Sequence, residues 1–193
     1  MSTDLDQLGV ALVVGAALEA AGARWMIGGS VATSAYGEPR ATHDVDLVAD
    51  LRLSGVRAFV EALGGAFYVD ADVVRDAARR RASFNVIHFD TTEKIDVFCV
   101  GEPFAAHGLR NLRIVTLPDG RKAPVAAPED MIVEKLRWFR RGGEVSERQL
   151  RDVSGVLQVL GDTLDEGQMR RWASEVGVLD LLERALQDAA RED

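Results

Sequence analysis

In the stretch Asp44-Val45-Asp46-Leu47-Val48, acidic and apolar residues alternate at a period of two. A β-strand converts that period into two chemically distinct faces. Side chains two apart on a strand project from one face about 6.5 to 7 Å apart, so Asp44 and Asp46 stand side by side. Val45 and Leu47 point the other way, toward a core. The chain must bury one face of this strand and find a use for two like charges on the other. Crowded carboxylates repel unless a cation neutralises them, and the hard ion that takes a few carboxylates while keeping waters and phosphate oxygens is Mg²⁺.

A third acid has a comparable setting. Asp96 lies within the apolar run KIDVFCV, so Asp44, Asp46 and Asp96 form the candidate metal-ligating and catalytic set. Three aspartates suffice for two ions about 3.5 to 4 Å apart, the spacing that serves in-line displacement at phosphorus. One ion would polarise the phosphate and steady the leaving pyrophosphate. The other, with Asp96 as ligand or base, would activate the incoming hydroxyl. Upstream, Gly28-Gly29-Ser30 breaks a short apolar strand. Glycines let a backbone approach phosphates without a Cβ clash, and Ser30 adds a hydroxyl donor and a cap for a short helix. The same glycines would equally serve a plain strand-to-helix turn. Arg40, just upstream of Asp44, either offers a guanidinium fork to a phosphate or is a surface loop charge.

Around this set the periodicity reads as strands mixed with helices, then helices alone. After Thr3 as capping candidate, Leu5, Leu8, Leu12 and Ala16 recur at helical spacing up to Gly22, and Arg24–Ile27 reads as a buried strand. His43–Val48 is the acidic strand. Helices are expected over 53–63 and 73–81, with a short strand at 67–69 between them. Ser83–Phe89 and Lys94–Val100 read as an antiparallel hairpin, and 113–125 as two short strands around Pro118-Asp119-Gly120. Pro128 suits a first helical position and Arg140-Arg141-Gly142 a helix end; Ser146 with Gln149 and Thr163 with Glu166 make capping-box pairs. The expectation is an α/β (α+β) chain: a mixed-sheet catalytic domain at 1–125, then a C-terminal helical bundle at 126–193.

Composition narrows the function classes. A formal charge of -8 opposes blanket binding to nucleic acid or anionic membranes, although a local basic groove stays open. Cys99, the lone cysteine, excludes an internal disulfide framework and fits a reducing compartment. The uncharged stretch near the start, Leu8–Leu18, is well short of the roughly twenty residues that span a bilayer. The leader carries Asp4 and Asp6 and no Lys or Arg, unlike a secretory signal. A cytoplasmic protein without a membrane partner is expected.

An apolar residue, Gly-Gly-Ser, a spacer, Asp-x-Asp and a later in-strand Asp together resemble the nucleotidyltransferase superfamily with the DNA polymerase β-like fold. The fuller string GGSVATSAYGEPRATHDVDLV is similar to the AbiEii-type and related bacterial nucleotidyltransferases, where Pro-Arg-x-Thr-x-Asp-x-Asp is usual. APEDMIVEKLRWFRR and RQLRDVSGVL resemble the same branch, with its Pro-Glu-Asp helix carrying a Lys and its Arg-x-x-Asp helix. The resemblance covers roughly Trp25 to Val153. It implies a nucleotidyltransferase catalytic domain with Asp44, Asp46 and Asp96 as metal ligands, Gly29 and Ser30 as phosphate loop and Lys135 contacting the nucleotide. Asp152 matches a recurrent acid of that branch. It further implies Mg²⁺-dependent transfer of a nucleoside monophosphate from a triphosphate, such as ATP, to a hydroxyl acceptor. A toxin-like enzyme follows, with tRNA as candidate acceptor and a cognate antitoxin as candidate partner.

Two rival readings stay open. One is a small-molecule, aminoglycoside-like adenylyltransferase, which an acidic acceptor cleft would favour. The other is a catalytically silent nucleotide- or partner-binding module, against which the three carboxylates count. Without the resemblance, Lys135 and Asp152 read as solvated charges on amphipathic helices. Arg75, Arg79, Arg80 and Arg81 form either a solvated helix face or an RNA surface; Arg137, Arg140, Arg141, Arg148 and Arg151 make a second basic set. His88 faces Asp96 only if the hairpin loop is Thr91–Glu93, and a loop of two or four residues breaks that register.

Overall fold

Strand β2 (Val45–Ala49) buries Val45, Leu47 and Ala49 and leaves Asp46 and Val48 half-buried on its opposite face, as its alternation requires. The structure, a computed structural model, describes residues 5–37, 44–117 and 120–192. Thr3, Pro39, Arg40, His43, Pro118 and Asp119 therefore lie outside the described residues. The chain divides into two compact units, Met1–Val31 with Thr42–Val125, and Ala32–Ala41 with Ala126–Asp193.

In the first unit, β2 joins β1 (Trp25–Ile27), β3 (Phe67–Tyr68), β4 (Ser83–His88), β5 (Lys94–Cys99), β6 (Arg113–Thr116) and β7 (Lys122–Val125). The sheet order is β3-β4-β5-β2-β1-β7-β6. The β2–β5 and β1–β7 pairs are parallel and the others antiparallel, so the sheet is mixed. Its helices are α1 (Gln7–Ala20), α2 (Gly29–Ser34, whose later residues group with the second unit), α3 (Val56–Leu63), α4 (Ala71–Arg80) and α5 (Pro103–Asn111). Leu18, Ile27, Leu47, Phe59 and Ile95 are fully buried in its core.

Local chemistry sets several of these elements. Asp6 caps α1, accepting from the Gly9 N–H at 2.7 Å, and Arg121 bonds both of its oxygens. A Cβ on Gly15 would sit 2.2 Å from the Trp25 indole, so glycine lets the ring lie against α1, where its Nε1 donates to Glu19 at 2.9 Å. Ser30 lies inside α2 rather than capping it, because the helix already begins at Gly29. Helix α5 has no counterpart among the expected elements; it starts on Pro103 and buries only Phe104, Gly108 and Leu109, too few for a clear helical period.

The second unit contains α6 (Pro128–Arg141), α7 (Glu147–Leu160), α8 (Glu166–Glu175) and α9 (Leu179–Glu192). Helix α6 packs on α7 and α8, and α9 on α7 and α8, around Ile132, Leu136, Met169 and Leu182. Gly37 belongs here: a Cβ on it would lie 3.1 Å from the α7 backbone at Gly155 and Val156. Asp165, not Thr163, caps α8 by accepting from the Gln168 N–H at 2.8 Å; Thr163 donates to the Leu160 carbonyl in the preceding turn. Ser146 does stand at the α7 N-cap, but its side chain makes no capping bond. No helix among the described residues is long and apolar enough to cross a membrane.

Candidate active site

Parallel pairing of β2 with β5 sets Asp46 directly beside Asp96. Asp44, one residue before β2, shares their face of the sheet, because residues two apart on a strand project alike. Asp44 is 61% exposed and Asp96 19%, so the acids descend from solvent into the sheet face. The opposite face carries Val45, Leu47, Ile95 and Val97, each at most 1% exposed. Burial of those four side chains fixes which way the aspartates point.

The glycines serve this set in different ways. The Gly28 N–H is given to the Asp46 carbonyl at 2.9 Å, so Gly28 extends the β1–β2 ladder. Gly29 has φ of +56°, and a Cβ there would fall 1.8 Å from an Asp46 carboxylate oxygen. The left-handed backbone and the close approach both demand glycine. Ser30 follows at 8% exposure. Gly28 and Gly29 are thus brought to Asp46, with Ser30 next in the chain, while Arg40 lies outside the described residues.

Lys94 and Asn85 complete the neighbourhood. The Lys94 Nζ lies 3.0 Å from an Asp96 oxygen and 3.6 Å from an Asp44 oxygen. Its hydrogen bond to Asp96 holds the ammonium above the ordinary lysine range, with the charges of Asp96 and Asp44 adding to this. Asn85 pairs directly across from Asp96 on β4. Both were legible in principle from the two-residue period, as neighbours on the acidic face, but only once the hairpin register is known. Among the described residues no group of three His, Cys, Asp or Glu side chains stands ready to hold a metal ion. Lys94 places a cation between Asp44 and Asp96.

His88 is not part of the site. The hairpin closes with the His88 N–H bonded to the Glu93 carbonyl, leaving a four-residue loop, Phe89–Thr92. That register faces His88 to the core at 6% exposure, where it stacks on Phe67 and its Nδ1 bonds the Thr91 hydroxyl at 2.9 Å. An odd shift in register reverses the face on which a side chain stands.

Lys135 belongs to the helical unit. Its Nζ donates to Asp152 at 2.6 Å, and both side chains are 8% exposed, so neither is the solvated charge that amphipathic spacing alone suggests. The first arginine cluster has local partners: Arg75 pairs with Asp72, and Arg79 and Arg80 with Asp76, all on α4. In the second set, Arg140 bonds Asp180 at 2.6 Å and Arg141 lies over the Trp138 ring. The Arg140 hydrogen bond holds the Asp180 carboxyl below its ordinary range.

Comparison with known proteins gives a fold and a family. A solved structure, the antibiotic-resistance factor ANT(2'')-Ia, superposes with a TM-score of 0.54 at 19% identity, covering 96% of this chain and 95% of that one. The likeness shows a shared fold. JHP933 from Helicobacter pylori aligns over 100% of this chain and 97% of that one, with a TM-score of 0.38 and 11% identity. No curated protein matches the sequence at a significant level. The family described as nucleotidyl transferase AbiEii toxin, type IV toxin–antitoxin system, matches residues 11–190. Over nearly its whole length, then, the chain belongs to the AbiEii nucleotidyltransferase family, and it is a nucleotidyltransferase.

Proposed function

We propose that the protein transfers a nucleoside monophosphate from a nucleoside triphosphate to a hydroxyl acceptor, using Asp44, Asp46 and Asp96. The observation that carries this reading is the side-by-side pairing of Asp46 and Asp96 on parallel strands, with the bare Gly29 backbone against Asp46. In the transfer, the acceptor oxygen bonds to the α-phosphorus as the bond to the β-bridging oxygen breaks. Pyrophosphate leaves with that electron pair, and Asp96 accepts the hydroxyl proton. Gly29 and Ser30 bring backbone close to the phosphates. The nucleotide roles of Ser30, Arg40 and Lys135 rest on the family resemblance.

The donors suit Mg²⁺ in kind, since carboxylate oxygens on one sheet face are the hard ligands it prefers, and Asp44 and Asp96 already share a cation, Lys94. When bound, Mg²⁺ supplies charge neutralisation on the phosphates and the leaving pyrophosphate. Asp44, Asp46 and Asp96 would hold it.

Family membership supports a toxin role, with RNA such as tRNA as acceptor and an antitoxin as partner. A second reading, a cationic small-molecule acceptor, is favoured by one observation: Arg75, Arg79 and Arg80, offered as an RNA surface, are already engaged by Asp72 and Asp76 of their own helix. The test is incubation with Mg²⁺ and each labelled triphosphate, offering total tRNA and aminoglycosides as acceptors. Label should move to one acceptor class with pyrophosphate release, and the pair Asp44→Ala with Asp46→Ala should abolish it. Undiminished transfer by that double variant would sink the assignment.

A further inference from the structure

Four charged side chains among the described residues share one face of β2 and β5: Asp44 and Asp46 along one strand, Lys94 and Asp96 on the other. Carrying the parallel register one pair back from Val45↔Ile95 sets Lys94 beside Asp44, and the ion pairs at 3.6 and 3.0 Å follow from that placement. Lys94 is 40% exposed, on a flexible four-carbon stem that reaches solvent without rearranging the sheet. Its ammonium stands where a cation shared by Asp44 and Asp96 must stand.

We infer that Lys94 is a resident counter-cation of the aspartate site, which a divalent ion must displace and which thereby sets how tightly that ion is held. The inference rests on the metal-dependent reading proposed above. Mg²⁺ approaches carboxylate oxygens to about 2.1 Å, closer than an ammonium does, so the two cannot share the same oxygens at full strength. Without the ion, Lys94 screens Asp44 from Asp96 and keeps the strands' acidic face assembled. With the ion, the ammonium swings outward. Each exposed ion pair so lost is modest, and the penalty on ion affinity is correspondingly graded rather than absolute.

The test needs no turnover. Free Mn²⁺ is titrated by electron paramagnetic resonance, without nucleotide, for the intact protein, Lys94→Met, Lys94→Gln, Lys94→Arg and Asp46→Asn. Removing the charge in Lys94→Met or Lys94→Gln should tighten Mn²⁺ binding about threefold to tenfold, while Lys94→Arg stays within about twofold of the parent. Thermal melting identifies which neutral variant is folded, and that variant is the one compared with the parent. Equal or weaker Mn²⁺ binding in a folded neutral variant overturns the role of Lys94, even where Asp46→Asn removes binding. Binding that survives Asp46→Asn unchanged, or is absent from every form, overturns the metal site itself and the Lys94 role with it.

Discussion

In the sheet unit, Asp44 and Asp96 share Lys94 and stay partly open to solvent; in the helical unit, Lys135 and Asp152 are joined at 2.6 Å with each side chain 8% exposed. The first arrangement gathers three acids and Lys94 on a single sheet face. The second buries an acid against a base. A charged cluster that still meets water is a place where a ligand gains by arriving. A buried pair has already exchanged its water for partners, so it can be tested as a joint of the fold.

The sharpest way to break that contrast is to unmatch the joint. Asp152→Ala leaves the Lys135 ammonium buried without this carboxylate and should cost about 3–5 kcal/mol in denaturant unfolding. Lys135→Met with Asp152→Leu should recover most of that loss. If the double variant is folded and fully active, the pair is only a joint; if folded and inactive, Lys135 works on the nucleotide. A cost below about 1 kcal/mol for Asp152→Ala would place the pair with ordinary surface ion pairs.

Gly29 tests the other side. Gly29→Ala meets the Asp46 carboxylate at 1.8 Å on a left-handed backbone, so it should cost about 1–3 kcal/mol and lower transfer by at least ~100-fold. Gly28→Ala meets Val48 at 3.5 Å and the Asp46 backbone carbonyl at 3.9 Å, both ordinary contacts, and should cost within about 1 kcal/mol. Equal damage from the two would mean that the turn as a whole, rather than the aspartate, demands glycine.

The smallest effect separates the two faces of β5. Asp96 lies on the face that takes charge, whereas burial pushes the Cys99 thiol up to about 11 from 9.0 despite nearby Arg81. Between these values the native thiol keeps a proton that the unfolded chain gives up. Stability contributed by Cys99 is thus whole below about pH 9 and falls as pH rises toward 11. Thiolate absorbance followed against pH should show the raised midpoint in the parent and none in Cys99→Ala. A midpoint near 9.0 would mean that the core face admits charge as readily as the acidic one.

Much of this was legible because it is local. Alternation marks β2 and β5, glycines and prolines mark turns, and Pro128 and Gly142 bound α6. What escaped depends on closure over distance. A change of loop length at Phe89–Thr92 moved His88 to the core and put Asn85 opposite Asp96. Lys94 reads as a routine strand-end cation until the parallel pairing of β2 and β5, some fifty residues apart, sets it beside Asp44. The Lys135–Asp152 joint likewise needs α6 packed on α7 before either charge looks buried.

Gly37 against α7 bears on how such a chain can be inherited. The helical unit draws on two separate tracts, Ala32–Ala41 and Ala126–Asp193, the first threaded into sequence between the Gly-Gly-Ser turn and the paired aspartates. It is therefore not a cassette. A recombination event at Val125 would graft helices while leaving behind the tract that Gly37 seats on the α7 backbone at Gly155 and Val156. Relatives exchanging their helical ends would have to exchange that inner tract as well, so the two stretches should travel together through the family's history.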